Sequence, residues 1–197
     1  MLSYERRHGF NGAAKNSGGG VVGAVFTILT TIGTQSVVNT AAETSLIPGP
    51  VGLAPGSSQL IQGGRSRAGD LYHIRLEGGF STNGAGQTGQ IRGKLNSTTV
   101  VDSGVFTFPN TGLGLFSIDY DMLIINPGNP GAINIVNFIV SLTTSTGLQT
   151  PALIYAFGLP AINFSIDETI DVTQTWGAAS ASNAMNMNVG RIALYRP

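Results

Sequence analysis

The sequence predicts an all-β chain in which two antiparallel sheets pack face to face as a sandwich. Three observations carry that expectation. Apolar residues recur with a period of two from residue 21 onward, glycine- and proline-rich breaks separate the alternating runs, and no stretch sustains a helical stripe. The 197 residues, 42% hydrophobic, suffice for one domain with a real core, and 28 glycines with 9 prolines would break long helices.

Residues 1–20, MLSYERRHGFNGAAKNSGGG, differ from the rest. They hold Arg6, Arg7 and Lys15 and close on a glycine run. This composition suits an extended N-terminal arm on a flexible joint, ahead of a single domain over 21–197. No basic start followed by an apolar stretch and a cleavage site is read there, so no signal peptide is expected. VVGAVFTILTTIG (21–33) is apolar but falls short of the ~20 residues of a membrane helix, and a buried strand or two is expected instead. PGPVGLAPGSS (48–58) reads as an irregular link.

Strands follow. In LYHIRLE (71–77), Tyr72, Ile74 and Leu76 share one face, with His73, Arg75 and Glu77 on the other. In FSIDYDMLI (116–124), Phe116, Ile118, Tyr120, Met122 and Ile124 oppose Ser117, Asp119 and Asp121. INIVNFIVSL (133–142) is apolar on both faces, as for a strand covered on both sides. DVTQTW and MNMNV alternate again. GGFSTNGAGQTG (78–89), PNTGLG (109–114), NPGNPG (126–131), TGLQTP (146–151) and GLPAIN (158–163) carry turn chemistry. Many short strands at this spacing predict an antiparallel β-sandwich of jelly-roll type.

Charge and composition narrow the function. Charged residues are 10% of the chain, and ten basic residues balance ten acidic ones. That balance gives no footprint for nucleic acid or an acidic membrane, so neither is an expected partner. A surface kept soluble by Ser, Thr, Asn and Gln instead suits contact with other proteins, because few charges need desolvating. With no cysteine, disulfides and thiol catalysis are excluded.

Catalytic and metal-binding patterns are thin. His8 lies in the arm and His73 in a strand, and no serine stands in a GxSxG elbow for either to activate. Asp119 and Asp121 point the same way and could hold a cation. Asp167, Glu168 and Asp171 could offer oxygen ligands to calcium, although neither set has the EF-hand pattern. Arg75, Arg92 and Lys94 are expected on adjacent strands across a 78–89 hairpin, paired with Glu77. The glycine triplets lack the lysine and helix of a phosphate loop. The Asn96 and Asn163 glycosylation patterns are discounted without a secretory signal. No enzyme, cofactor or metal is therefore expected.

GDLYHIRLEGGFSTNGAGQTGQIRGKLNSTTVVDSGVFTFPNTGLGLFSIDYDMLI (69–124) resembles a recurrent segment of viral and phage structural proteins. The shared features, in order, are a Gly-Asp lead-in, an Arg-bearing strand, a Gly-rich hairpin, a second basic strand, an Asp-Ser/Thr-Gly turn and a Pro-Asn-centred turn. TQSVVNTAAETSLIPGP (34–50) and the closing DVTQTWGAASASNAMNMNVGRIALY are similar to the flanks of the same domain. The resemblance covers about 34–197 and leaves 143–169 and the arm unmatched. It implies a jelly-roll component of a virion — capsid, decoration, spike or fibre — assembled in the host cytoplasm as a homo-oligomer, a trimer in particular. The arm would hook onto another capsid or tail protein. The alternative is a receptor- or glycan-binding head domain. Assembly and packing candidates are Arg6, Arg7 and Phe10 in the arm, with Trp176 and Tyr195 in the closing segment. Trp176 would seal the space between sheets or subunits, Gly177 would let the chain turn, and Met185, Met187 and Val189 would return inward.

Overall fold

The computed structural model describes residues 24–47, 60–82, 84, 86–156 and 161–197. The predicted arm, with His8 and the candidates Arg6, Arg7 and Phe10, lies outside them, as does the link 48–58. Among the described residues every regular element is a strand. They are β1 (Ala24–Val38), β2 (Thr44–Ser45), β3 (Leu60–Ile61), β4 (Leu71–Thr82), β5 (Thr88–Leu95), β6 (Thr98–Asp102), β7 (Phe106–Thr107), β8 (Thr111–Asn126), β9 (Ala132–Thr144), β10 (Gly147–Ala156), β11 (Glu168–Trp176) and β12 (Ala184–Arg196).

Two antiparallel sheets result. The first runs β1-β12-β4-β8-β9-β10, and the second runs β2-β11-β5-β6, with β3 also on β11 and β7 also on β5. The connectivity is nested. β1 pairs with β12, β2 with β11, β4 with β8 and β5 with β6, and successive pairs alternate between the sheets. The chain is thus a long two-stranded ribbon rolled into two layers, with the β9–β10 hairpin widening the first.

The period-two pattern places the core. Tyr72, Ile74 and Leu76 of β4 and all five alternate apolar residues of β8, from Phe116 to Ile124, are buried. Ile91 and Leu95 of β5 with Ile170 and Val172 of β11 join them in one core cluster. Removing this apolar surface from water is the main term favouring the fold.

Several expectations need correction, and each has a physical reason. The 78–89 segment is no hairpin. GGFST lies within β4, and the chain then crosses to β5 in the other sheet. Its glycine serves close approach, since a Cβ at Gly78 would run into the Asn186 carbonyl. PNTGLG is likewise largely strand, because β8 begins at Thr111 and Gly114 leaves room for the Phe80 ring. TGLQTP is mostly the start of β10 on the sheet edge, with Pro151 at a register shift between Gln149 and Ala152. Of GLPAIN, 158–160 lie outside the described residues, while Ile162 bridges to Gly131.

Two bulges redirect side chains. In β9, Asp121 pairs with Asn137 and Met122 with Ile135, so Val136 is an extra residue. The buried set is therefore Ile133, Ile135, Phe138, Val140 and Leu142. Asn134, Val136 and Ser141 are not buried, so the strand is covered on one face rather than two. In β12, Met187 pairs with Gly78 and Val189 with Glu77, which makes Asn188 the extra residue. Met185 and Met187 point inward as expected, but Val189 does not and is exposed.

Candidate functional site

Trp176 is the packing centre of one end of the sandwich. It is 1% exposed. Its ring lies 4.6 Å from Phe108, which in turn lies 5.7 Å from Phe80 and 4.7 Å from Phe106. Its Nε1 donates to the Val37 carbonyl oxygen at 3.4 Å, so a side chain of the second sheet reaches a strand of the first. The tryptophan therefore seals the space between sheets within the chain. Gly177 stands where the chain bends after β11, and close approach is what asks for glycine there. Its N–H donates to the Thr88 carbonyl at 2.8 Å, and a Cβ there would run into the Thr88 hydroxyl.

The chain end is fastened at the opposite end of the sandwich. Arg196 of β12 grips the wholly buried Asp70 with two bonds, Nε to Oδ1 at 2.8 Å and Nη2 to Oδ2 at 2.7 Å. Asp70 also accepts from the Arg67 N–H at 3.0 Å. The Gly-Asp lead-in thus has a structural role, with Gly69 at φ 90 in the left-handed region. Hydrogen bonding to Asp70, with its charge, holds the Arg196 guanidinium above its ordinary pKa despite some burial.

The outer face of the first sheet gathers most of the remaining candidates. Register places them in rows across β12, β4 and β8: Val189–Glu77–Ser117, Arg191–Arg75–Asp119, Ala193–His73–Asp121 and Tyr195–Leu71–Leu123. His73 Nδ1 lies 2.6 Å from Asp121 Oδ1, and its Nε2 lies 3.5 Å from Asp119 Oδ1. Arg75 holds Glu77 at 2.6 Å and reaches Asp119 only at 3.5 Å. The Tyr195 ring meets His73 edge-on at 6.4 Å. Apolar side chains flank this ladder: Leu113 (78% exposed), Leu115 (60%) and Leu148 (67%), with Val189 and Tyr195. Leu115, Thr143 and Leu148 stand in one row across β8, β9 and β10. Gly78, Leu115, Thr143 and Val189 help line a shallow groove of about 410 Å³.

Arg92 and Lys94 are not beside Arg75. They lie on β5 in the second sheet, because the chain changes sheets after β4. Glu43 is their partner, 3.4 Å from Arg92 and 3.1 Å from Lys94, and Thr173 Oγ1 donates to it at 2.6 Å. Burial raises the Glu43 carboxyl, but the Thr173 and Lys94 hydrogen bonds and the charges of Lys94 and Arg92 outweigh it and hold it low. Arg92 also bonds Asp102 at 2.9 Å. The Asp-Ser-Gly turn closes there, with the Gly104 N–H on Asp102 at 2.8 Å and the Ile91 N–H on Ser103 Oγ at 2.9 Å.

The supposed ligand set of Asp167, Glu168 and Asp171 does not converge. Asp167 accepts from the Gly63 N–H, and Asp171 Oδ1 accepts from Ser45 Oγ at 2.6 Å. Glu168 and Asp171 sit three positions apart on β11, so they face opposite sides of the sheet. Burial raises the Glu168 carboxyl, with Asn96 opposing. Among the described residues no group of three or more His, Asp or Glu is placed to hold a metal ion.

No protein-family model, curated protein or solved structure matches the chain. No helix among the described residues is long and apolar enough to cross a membrane. The residues that sequence reasoning missed are Arg191, Leu115 and Leu148 on the outer face and Gln174 in the core, whose amide makes no hydrogen bond among the described residues. Arg191 alternates with Ala193 and Tyr195, so its place on the outer face was readable. Gln174 gave no such signal.

Proposed function

We propose that the chain is a non-enzymatic structural protein of a virion. Its domain is a jelly roll that packs against further copies of itself, and its N-terminal arm engages another capsid or tail component. The jelly-roll reading is supported by strand order. The four-stranded units β1-β12-β4-β8 and β2-β11-β5-β6 have the nested pairing of that architecture, with β9 and β10 as an addition. The viral reading is supported by the resemblance over 34–197.

The observation that carries the assembly reading is the outer face of the first sheet. A broad sheet surface there combines exposed leucines with a mixed-sign ladder. A surface of that kind on one side of a sandwich fits a contact between subunits. The homotrimer is the state that the resemblance implies, and the virion is the corresponding location.

The test is light scattering on the purified full chain from micromolar to millimolar concentration, followed by deletion of residues 1–20. Oligomers that persist without the arm but no longer join particles support the reading. A species that stays monomeric at millimolar concentration overturns it. Binding of the assembled protein to a glycan array would support the receptor- or glycan-binding head instead.

A further inference from the structure

We propose that the outer face of the first sheet docks on the same face of a second copy, about a two-fold axis along β4, with Arg191 of each copy against Asp119 of the other. The inference rests on the assembly reading above and names a two-fold contact for it in place of the trimer that the resemblance implies.

Arg191 is the first observation. In the β12–β4 register it lies directly opposite Arg75. Like charges facing each other across strands are unfavourable. Arg75 is neutralised by Glu77 at 2.6 Å, whereas Arg191 is exposed and makes no ion pair among the described residues. A cation set where its own fold gains nothing from it points outward, to a partner. Asp119 is the second observation. Asp121 is held by His73 at 2.6 Å, but Asp119 is approached only at 3.5 Å, by His73 and by Arg75. Its carboxylate keeps hydrogen-bonding capacity for an incoming guanidinium.

The geometry makes these two groups complementary to themselves. Arg191, Arg75 and Asp119 stand in one row, with β12 and β8 on either side of β4. A two-fold axis along β4 exchanges the two sides. Each Arg191 then lies over the partner's Asp119, and two ion pairs form at once, as an isologous contact requires. The same operation sets Tyr195 against the partner's Leu123. The Arg75 residues meet near the axis, each already paired with its own Glu77.

Area and edges agree with this. About that axis five strands overlap, β1 to β9 in sheet order. At ~4.8 Å spacing and about ten residues long they offer on the order of 800 Å², the ~800 Å² per partner of a standard interface. Edge-to-edge pairing is disfavoured. The outer strands β1 and β10 carry register shifts, and β10 contains Pro151.

Charge reversal tests the contact in the full chain. Arg191→Asp and Asp119→Arg should each halve the molar mass seen by light scattering, weakening association about tenfold or more. Mixing the two variants should restore the wild-type mass, because one ion pair re-forms as in the wild type and the other with its signs exchanged. The double variant R191D/D119R should restore it as well. Should Asp119→Arg fail to fold, Arg191→Gln and Asp119→Asn carry the test: each alone weakens association, and together they weaken it no further. Single variants that assemble like wild type, a mixture that stays dissociated, or a wild type of odd copy number overturn this contact but leave the assembly reading standing. A wild type that remains monomeric overturns both.

Discussion

Asp171 lies on β11 with Lys94 opposite it in register and Ser45 Oγ at 2.6 Å. Ser45 has one proton and two acceptors to serve, Asp171 Oδ1 and the Ile47 carbonyl at 3.0 Å. One proton cannot fully satisfy both, so the Asp171 carboxylate is only partly compensated. Burial pushes this carboxyl up to about 6 from its ordinary 3.8, with Glu43 adding to the rise and Ser45, Val172 and Lys94 opposing it. Between those two values the folded chain binds a proton that the unfolded chain has released. Stability is therefore fully present below about pH 4 and is lost as pH rises through about 6. The rise is worth about 3 kcal/mol at ~1.36 kcal/mol per unit. Asp171→Asn keeps an acceptor for Ser45 and removes the charge. We expect the variant to exceed wild type by up to about 3 kcal/mol at pH 8 and to match it below pH 4, read from urea unfolding at both values. Equal stability at pH 8 would show that Lys94 fully compensates the carboxylate.

At the scale of elements, β12 decides how the sandwich closes, because it joins β1 to β4 and its end is pinned to Asp70. Removing Arg196 leaves a buried carboxylate uncompensated. Arg196→Ala should cost about 3–5 kcal/mol. Amide exchange should accelerate first at the Ala24–Arg196 end of the β1–β12 pair, and unchanged protection there would show that the strand is held by packing alone. Elements with clean alternation, β4 and β8, were legible because a half-buried strand writes its burial into every second residue. Bulges were not legible. Val136 and Asn188 are ordinary strand residues, and only the partner strand reveals that each is one too many. Glycine misled for a related reason. At Gly78 and Gly114 it marks another chain segment pressed against the backbone, and the sequence writes that with the same letter as a turn. The outer face was half legible. Asp119, Asp121 and His73 were placed on it correctly, while the distance between Arg75 and Arg92 depended on a change of sheet that no local signal announces.

The nested pairing also sets the order in which the whole molecule can form. β8 and β9 are joined by the short NPGNPG turn, so their pairing closes a small loop, whereas β1 and β12 bring together Ala24 and Arg196 from opposite ends of the described chain. Loop-closure entropy must be met before distant pairs contribute, and folds dominated by such pairs reach the native state in about milliseconds to seconds. Trp176 adds a useful asymmetry. Its indole bonds to Val37 of β1 and packs on Phe108, so its environment is complete only when both ends of the ribbon have met. Refolding followed by Trp176 fluorescence should therefore report the last closure and lag behind amide protection in the β8–β9 hairpin under pulsed exchange. Val37 and Met185, paired across β1 and β12, should gain protection together with the fluorescence change. If β1 is protected as early as β9, the ends meet before the middle of the ribbon has formed, and the rolled-ribbon account of folding fails even though the native pairing stands.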